Sequence, residues 1–367
     1  MGRLIRVLAV LGVAVLLASL LCAGVLFIVS GGSPINYIQT AFIRASLAGR
    51  EDDLNTPAGS DSTPQRFVVA LGDTPRVIGA NLADARLIND AQLFVDYLIA
   101  NDLDTELEAG TYFLRQTQII PDIAQTLTDS RNAAITFVIL EGWRMEEVAE
   151  AIDRNPLFGF SGADFLTAVG RGVIVDPAFT TQVGLPAGSS LEGFLFPNTY
   201  QLPPDISAAG LRDLLLDEFL RQVGSGAFAS AAQQNLTLFE AVTLASIIQR
   251  EAVHSEEHPM ISSVYRNRLD VGMRLDADPT VQYPLGQPGN WWTRITQADY
   301  QGVVSPYNTY RVTGLPPGPI ASPGLSAIIA ALNPTESPYF YFQADCGGSG
   351  YHNFSETYEE HLAKSCF

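Results

Sequence analysis

The stretch from Ile247 to Pro259 reads IIQREAVHSEEHP and holds three glutamates and two histidines. Three readings are open for it. A single carboxylic acid could act alone as acid and base. His254, Glu257 and His258 fit the H-x-x-E-H pattern of inverted zinc peptidases. Or the stretch is a charged helix end with no chemistry at all.

Helix phase narrows the choice. Thr237-Leu238-Phe239-Glu240 has the form of a capping box, which gives Glu240 a structural role and starts a helix there. Further on, Leu244, Ile247 and Ile248 share one face, and Glu251 falls on the same apolar stripe. A carboxylate on a buried face is costly unless it is paired or functional. Burial also raises a carboxyl pKa and so favours a proton donor. Periodicity alone equally admits a partly exposed helix-end glutamate, so it leaves Glu251 open. Glu256 and Glu257 are expected at the solvated end of the helix. Against zinc, Pro259 is expected to disfavour a helical His258, and with it the i, i+4 geometry of the histidine pair. The other histidines, His352 and His361, are far off in sequence, and no third-ligand motif stands out.

Composition excludes further classes. The net charge of −18 argues against nucleic acid as a partner, since phosphates require clustered Lys and Arg. The only lysine is Lys364, near the C-terminus, which leaves no interior amine for Schiff-base chemistry. No cofactor is expected.

The elements that must position such an acid come next. Residues 1–6 carry Arg3 and Arg6 ahead of an uncharged apolar stretch, Val7 to Val29. That stretch is long enough for a membrane span of about 20 residues. The flanking arginines put a short tail in the cytoplasm and the bulk of the chain outside. The run exceeds a usual signal-peptide core and no good A-x-A site follows it, so a single-pass anchor is favoured over a cleaved leader. Residues 30–65 read as a linker: a short amphipathic piece, then EDDLNTPAGSDSTPQ.

From Arg66 a strand–turn–amphipathic-helix pattern recurs three times, in RFVVALGDTPRVIGANLADA, GTYFLRQTQIIPDIAQTLTD and AITFVILEGWRMEEVAEAID. Asp73 and Thr74 suit an N-cap. Residues 66–131 resemble LysM, a small module that binds N-acetylglucosamine polymers; a generic positioning module is the alternative. Residues 132–367 read as one larger α+β domain ending in a hairpin, PYFYFQADCGGSGYHNF. The fold class is therefore α+β: an N-terminal transmembrane helix, a LysM-like module and a larger domain. Cys346 and Cys366 lie in the exported part, where a disulfide is permitted, but spacing alone leaves the pairing open.

Longer motifs add a resemblance. LASIIQREAVHSEEHPMISSVYRNRLDVGMRLDADPTVQYPLG (244–286), SPYNTYRVTGLPPGPIASPGLSAIIAALNP (305–334), LEGFLFPNTY (191–200) and the C-terminal YFYFQ…HNFSETYEEH resemble the YceG-like (MltG) endolytic murein transglycosylases. The resemblance covers nearly the whole chain. It implies cleavage of the MurNAc-β-1,4-GlcNAc bond in nascent peptidoglycan strands, leaving 1,6-anhydro ends and ending elongation. The family's acid lies in an E-K-E-like triplet; here the triplet is Gln249-Arg250-Glu251, so only Glu251 can carry the role. Asn267, Arg268, Asp278, Thr280, Tyr307, Asn308 and Tyr310 sit in the matched motifs as candidate sugar contacts, with a structural role open for each, such as an Arg268–Asp278 pair. No metal is implied. The expected partners are glycan strands, the membrane through the N-terminal helix, and a peptidoglycan synthase. The rival from another class is a non-catalytic wall-binding scaffold.

Overall fold

The structure, a computed structural model, describes residues 34–129 and 134–366. The expected tail and span at 1–29 lie outside the described residues. Among the described residues, no helix is long and apolar enough to cross a membrane. The chain divides into two compact units, with the boundary after Ala133.

The described part of the first unit runs α1 (Pro34–Leu47), α2 (Glu51–Leu54), β1 (Gln65–Val69), α3 (Pro75–Asp84), α4 (Ala91–Ala100), β2 (Gly110–Leu114) and α5 (Ile120–Thr126). Strands β1 and β2 pair antiparallel, with Phe67 opposite Tyr112. The two residues ahead of α3 divide their work. Thr74 Oγ1 accepts from the Val77 amide at the N-cap, while the Asp73 carboxylate accepts from the Ala70 amide and closes the turn. The core is apolar around Ile78, Leu82, Phe94, Leu98, Leu114 and Ile123. Its one large polar group is satisfied: the Tyr112 hydroxyl lies 2.6 Å from the Glu108 carbonyl and 3.1 Å from that of Leu127. Residues 34–54 do more than a linker needs. Leu47 and Leu54 are buried in this core, and Arg44 Nε donates to the Ala100 carbonyl at 2.7 Å. Their apolar positions found a partner in α4, which sequence periodicity alone does not name.

The second unit begins with the third strand–helix repeat, now β3 (Ile135–Val138) and α6 (Met145–Asp153). There follow α7 (Gly162–Val169), α8 (Pro177–Val183), and β4 (Thr199–Leu202), which pairs antiparallel with β3. Next come α9 (Ala208–Val223), α10 (Ala227–Gln233) and α11 (Leu238–Glu251). A 3-10 turn at Ser255–Glu257 leads into α12 (His258–Asp270), then α13 (Asp278–Leu285) and α14 (Gln297–Gly302). The unit closes with α15 (Leu325–Leu332), the hairpin β5 (Tyr341–Ala344) and β6 (His352–Ser355), and α16 (Tyr358–Ala363).

Helix α11 is the central rod. Leu238, Phe239 and every residue from Ala241 to Ile248 are buried, so it is enclosed on all sides and packs against α15 and α12. Its start is the expected capping box: Thr237 Oγ1 accepts from the Glu240 amide at 3.1 Å and Glu240 Oε2 accepts from the Thr237 amide at 2.8 Å. The loop LEGFLFPNTY crosses close to it at Gly193. That residue has φ of +86°, and a Cβ there would lie 2.5 Å from Pro319 and 3.0 Å from Val242, so only glycine fits. Cys346 and Cys366 form a disulfide that ties the tail to the hairpin, which closes the pairing the spacing left open.

Candidate active site

Helix α11 stops on the residue of interest. Glu251 is its last member, and Ala252 turns to extended backbone at φ −94°, ψ 137°. The break thus falls after Glu251 and not at His258. His258 is helical, at φ −50°, ψ −45°, and opens α12 with Pro259 in the first turn. The expectation that Pro259 would prevent a helical His258 is corrected here. A first-turn proline removes only an N–H that has no intrahelical partner, and its fixed φ suits the start.

Glu251 is partly exposed as a residue, yet its carboxyl is heavily desolvated. Burial pushes it up to about 7 from the usual carboxylate range, and the negative charge of Asp278 adds to the rise. Three groups oppose it: the Tyr265 hydroxyl, Arg268 and Arg250. Tyr265, on α12 and fully buried, donates to Glu251 Oε1 at 2.7 Å. Among the described residues, no donor reaches Oε2. Such an acid is held toward its protonated form, with the Tyr265 hydroxyl on one oxygen. Beside it, Tyr310 donates to Asp278 Oδ1 at 2.7 Å, and Tyr300 stacks on Tyr310 with ring centres 4.2 Å apart.

The other sequence candidates fall into two sets. Asp278 and Tyr310 stand in the electrostatic neighbourhood of Glu251. Asn267, Thr280 and Asn308 are turned to the fold, and so is Arg268, although its charge also acts on Glu251. Asn267 Nδ2 donates to the carbonyls of Ser337 and Tyr339, both at 2.8 Å. Arg268 does not pair with Asp278; it donates to the carbonyls of Phe340 and Leu275, each at 2.6 Å, and so ties α12 to the hairpin. Thr280 and Asn308 are fully buried, Thr280 bonding the Ala277 carbonyl and Thr309, Asn308 the carbonyls of Tyr300 and Val303. Tyr307 lines a cavity of about 140 Å³ with Arg171, Ser189 and Ser190, a lining that does not include Glu251.

The H-x-x-E-H residues are drawn apart. His254 Nε2 donates to the Ser349 carbonyl at 2.9 Å, and its ring stacks on Tyr351 at 4.0 Å. His258 Nδ1 lies 3.1 Å from Ser326 Oγ on α15. Glu257, expected in solvent, is buried; its Oε1 accepts the His352 amide and its Oε2 the His352 Nδ1, both at 2.9 Å. The three side chains serve three partners, and no group of three His, Cys, Asp or Glu among the described residues could hold a metal ion. His254 and Glu257 dock the β5–β6 hairpin onto the turn that follows Glu251, while His258 meets α15.

With this geometry in place, the chain can be set beside known proteins. A family model described as the YceG-like family matches residues 67–365. The chain belongs to the YceG-like family. It is 30% identical over 321 residues to the endolytic murein transglycosylase of Bacillus subtilis, covering 83% of this chain and 85% of that protein. It is 28% identical over 330 residues to the endolytic murein transglycosylase of Streptococcus pneumoniae serotype 2, of whose length it spans 59%. A crystal structure of a putative YceG-like protein from Listeria monocytogenes matches with a TM-score of 0.56 and 30% identity, over 83% of this chain and 99% of that one.

Several residues of this YceG-like chain escape a reading by motif. Tyr265 lies inside the quoted stretch SSVYRNR without any sign that it meets Glu251, fourteen residues away. The Arg250 guanidinium lies over the Trp292 ring at 4.0 Å, with its Nε buried and unpartnered. Glu192, in LEGFLFPNTY, is buried and accepts from the Met145 amide at 3.2 Å. Burial, then Glu146, pushes Glu192 up to about 8. Its signal was legible: a carboxylate set in an apolar run, as Glu251 was.

Proposed function

We propose that this chain is an endolytic lytic transglycosylase that cleaves MurNAc-β-1,4-GlcNAc bonds in nascent peptidoglycan strands and leaves 1,6-anhydroMurNAc ends. The reading rests on one observation above all: Glu251 ends a buried helix with a carboxyl raised to about 7 and held at Oε1 by the Tyr265 hydroxyl. Membership of the YceG-like family and the names of its relatives support the substrate.

The chemistry needs one carboxyl. Protonated Glu251 gives its proton to the glycosidic oxygen as the C1–O bond breaks. The GlcNAc side leaves as an alcohol. The carboxylate then takes the proton of the muramic acid 6-hydroxyl, whose oxygen bonds to C1 of its own sugar. The acid is regenerated and no water is consumed. Because the nucleophile is intramolecular, its effective concentration is high, and a second carboxylate to activate water is not required. A pKa near 7 suits both halves, since the group must give and take a proton with little cost either way. The residues around Asp278 and Tyr310 form the wall against which a sugar would lie.

The wider assignment is also a proposal. The apolar stretch at 7–29 anchors the chain in the cell membrane with the N-terminus cytoplasmic, and the strand–helix–helix–strand unit at 65–114 serves as a LysM-like module. A site held near the membrane would reach strands as a synthase extrudes them.

The test is digestion of purified glycan strands followed by mass spectrometry of the ends. Wild type should yield 1,6-anhydro ends, and Glu251→Gln should lower the yield by at least about 1,000-fold. Reducing ends in place of anhydro ends would assign water as the nucleophile. No cleavage at all, with strands still bound, would support the scaffold.

A further inference from the structure

The two oxygens of Glu251 are not equivalent. Oε1 receives the Tyr265 hydroxyl at 2.7 Å, while among the described residues no donor reaches Oε2. Tyr265 is itself enclosed by packing. It is fully buried in α12, and Phe342 of β5 packs edge-on to its ring at 5.6 Å with planes 82° apart. The hairpin that supplies Phe342 is in turn held by Arg268, which donates to the Phe340 carbonyl. A rigid donor therefore stands on one side of the last residue of α11, where the chain has just left the helix.

We propose that Tyr265 is the positioning residue of this site: its hydroxyl pins Oε1 of Glu251, so that Oε2 alone carries the proton exchanged with the glycan. The inference rests on the reading of Glu251 as acid and base. In it the proton leaves Oε2 for the glycosidic oxygen and returns to Oε2 from the 6-hydroxyl. Tyr265 keeps its own proton throughout, since burial and the Glu251 charge push that phenol well above its ordinary pKa. A donor aimed at Oε1 stabilises the carboxylate more than the acid, and so offsets part of the rise caused by burial. It also removes one rotational freedom that would otherwise have to be fixed at each turnover.

The other groups facing Glu251 set opposite signs. Asp278 on α13 raises its pKa; Arg268 on α12 and Arg250 on α11 lower it. Tyr300 and Tyr310 contribute as neutral phenols near neutral pH, with Tyr310 donating to Asp278. The proposal therefore predicts a pair of opposed shifts. In Tyr265→Phe, Glu251 loses a donor to its ionised form, and its titration midpoint should rise by about one unit. In Asp278→Asn it loses a like charge, and the midpoint should fall.

Two measurements on the full chain test this. The first follows the Glu251 carboxyl by NMR with 13C-labelled glutamate, assigned by the signal missing in Glu251→Gln. The expected result is a higher midpoint in Tyr265→Phe and a lower one in Asp278→Asn; an unchanged midpoint in Tyr265→Phe overturns the proposal. The second is the pH profile of strand cleavage. For Tyr265→Phe, kcat should fall roughly ten-fold on the low-pH plateau with KM little changed, and the alkaline limb should move up in pH. A uniform loss at every pH, or a rise in KM alone, would make Tyr265 merely structural and overturn the role. If wild type forms no anhydro ends, the proposed activity fails, while the NMR midpoints still decide whether Tyr265 governs Glu251. Thermal melting of each variant separates these effects from loss of fold, and should Tyr265→Phe not fold, Phe342→Leu supplies the looser Tyr265 for the same NMR comparison.

Discussion

At the scale of single residues, two carboxyls are raised by desolvation: the partly exposed Glu251 to about 7 and the buried Glu192 to about 8. This has a consequence for stability. In the unfolded chain a glutamate ionises near its ordinary value, while in the folded chain these two hold their protons longer. Their contribution to stability is therefore fully present below the unfolded pKa and is lost as pH rises through the folded one. Urea denaturation should show stability falling between about pH 4.5 and pH 8, at up to about 1.4 kcal/mol per pH unit for each group. Glu192→Gln, which keeps an acceptor for the Met145 amide, should flatten that slope, and a slope unchanged by the substitution would contradict the assignment. Arg268 makes a different kind of contribution. It satisfies two carbonyls from a buried position, and Arg268→Ala should cost about 2–4 kcal/mol in the same assay. Helix phase, a local property, put Glu251 on the apolar stripe and left its role open. Glu192 carried a similar signal, a carboxylate among apolar residues, but no helical period drew attention to it.

At the scale of elements, the decisive feature is where α11 begins and ends. The capping box at Thr237 was readable because its two partners are three residues apart, and Thr237→Ala should destabilise the second unit by about 1 kcal/mol in denaturant titration. The other end was not readable. Ala252 leaves the helix and His258 opens another, because the intervening side chains are claimed by the β5–β6 hairpin and by α15. Those claims come from residues some seventy to ninety-five positions away, and no local rule reports them. The same holds for the crossing of α11 by the 191–200 loop. Gly193→Ala would place a Cβ against Pro319 at positive φ, and should cost about 2 kcal/mol or more, measured by the same titration.

At the scale of the whole molecule, the hairpin acts as a clasp. It takes His254, Glu256 and Glu257 from the turn after Glu251, Arg268 and Asn267 from α12, and packs Phe342 on Tyr265. The Cys346–Cys366 bond secures its far side, closing a loop of 20 residues in separation. Reduction with dithiothreitol, or a Cys346→Ser/Cys366→Ser double variant, should therefore lower stability by about 3 kcal/mol, read as an earlier urea midpoint. The sequence by itself determined the α+β class, the strand–helix repeats and the start of α11, since each depends on periodicity or caps within a few residues. It also carried the family likeness in long motifs. Only the tertiary structure decided which motif residues look inward, that His254 and Glu257 meet a hairpin while His258 meets α15, that residues 34–54 join a core, and that a tyrosine donates to Glu251 Oε1. Those outcomes depend on which distant side chain reaches a given polar atom first, and that is settled by packing.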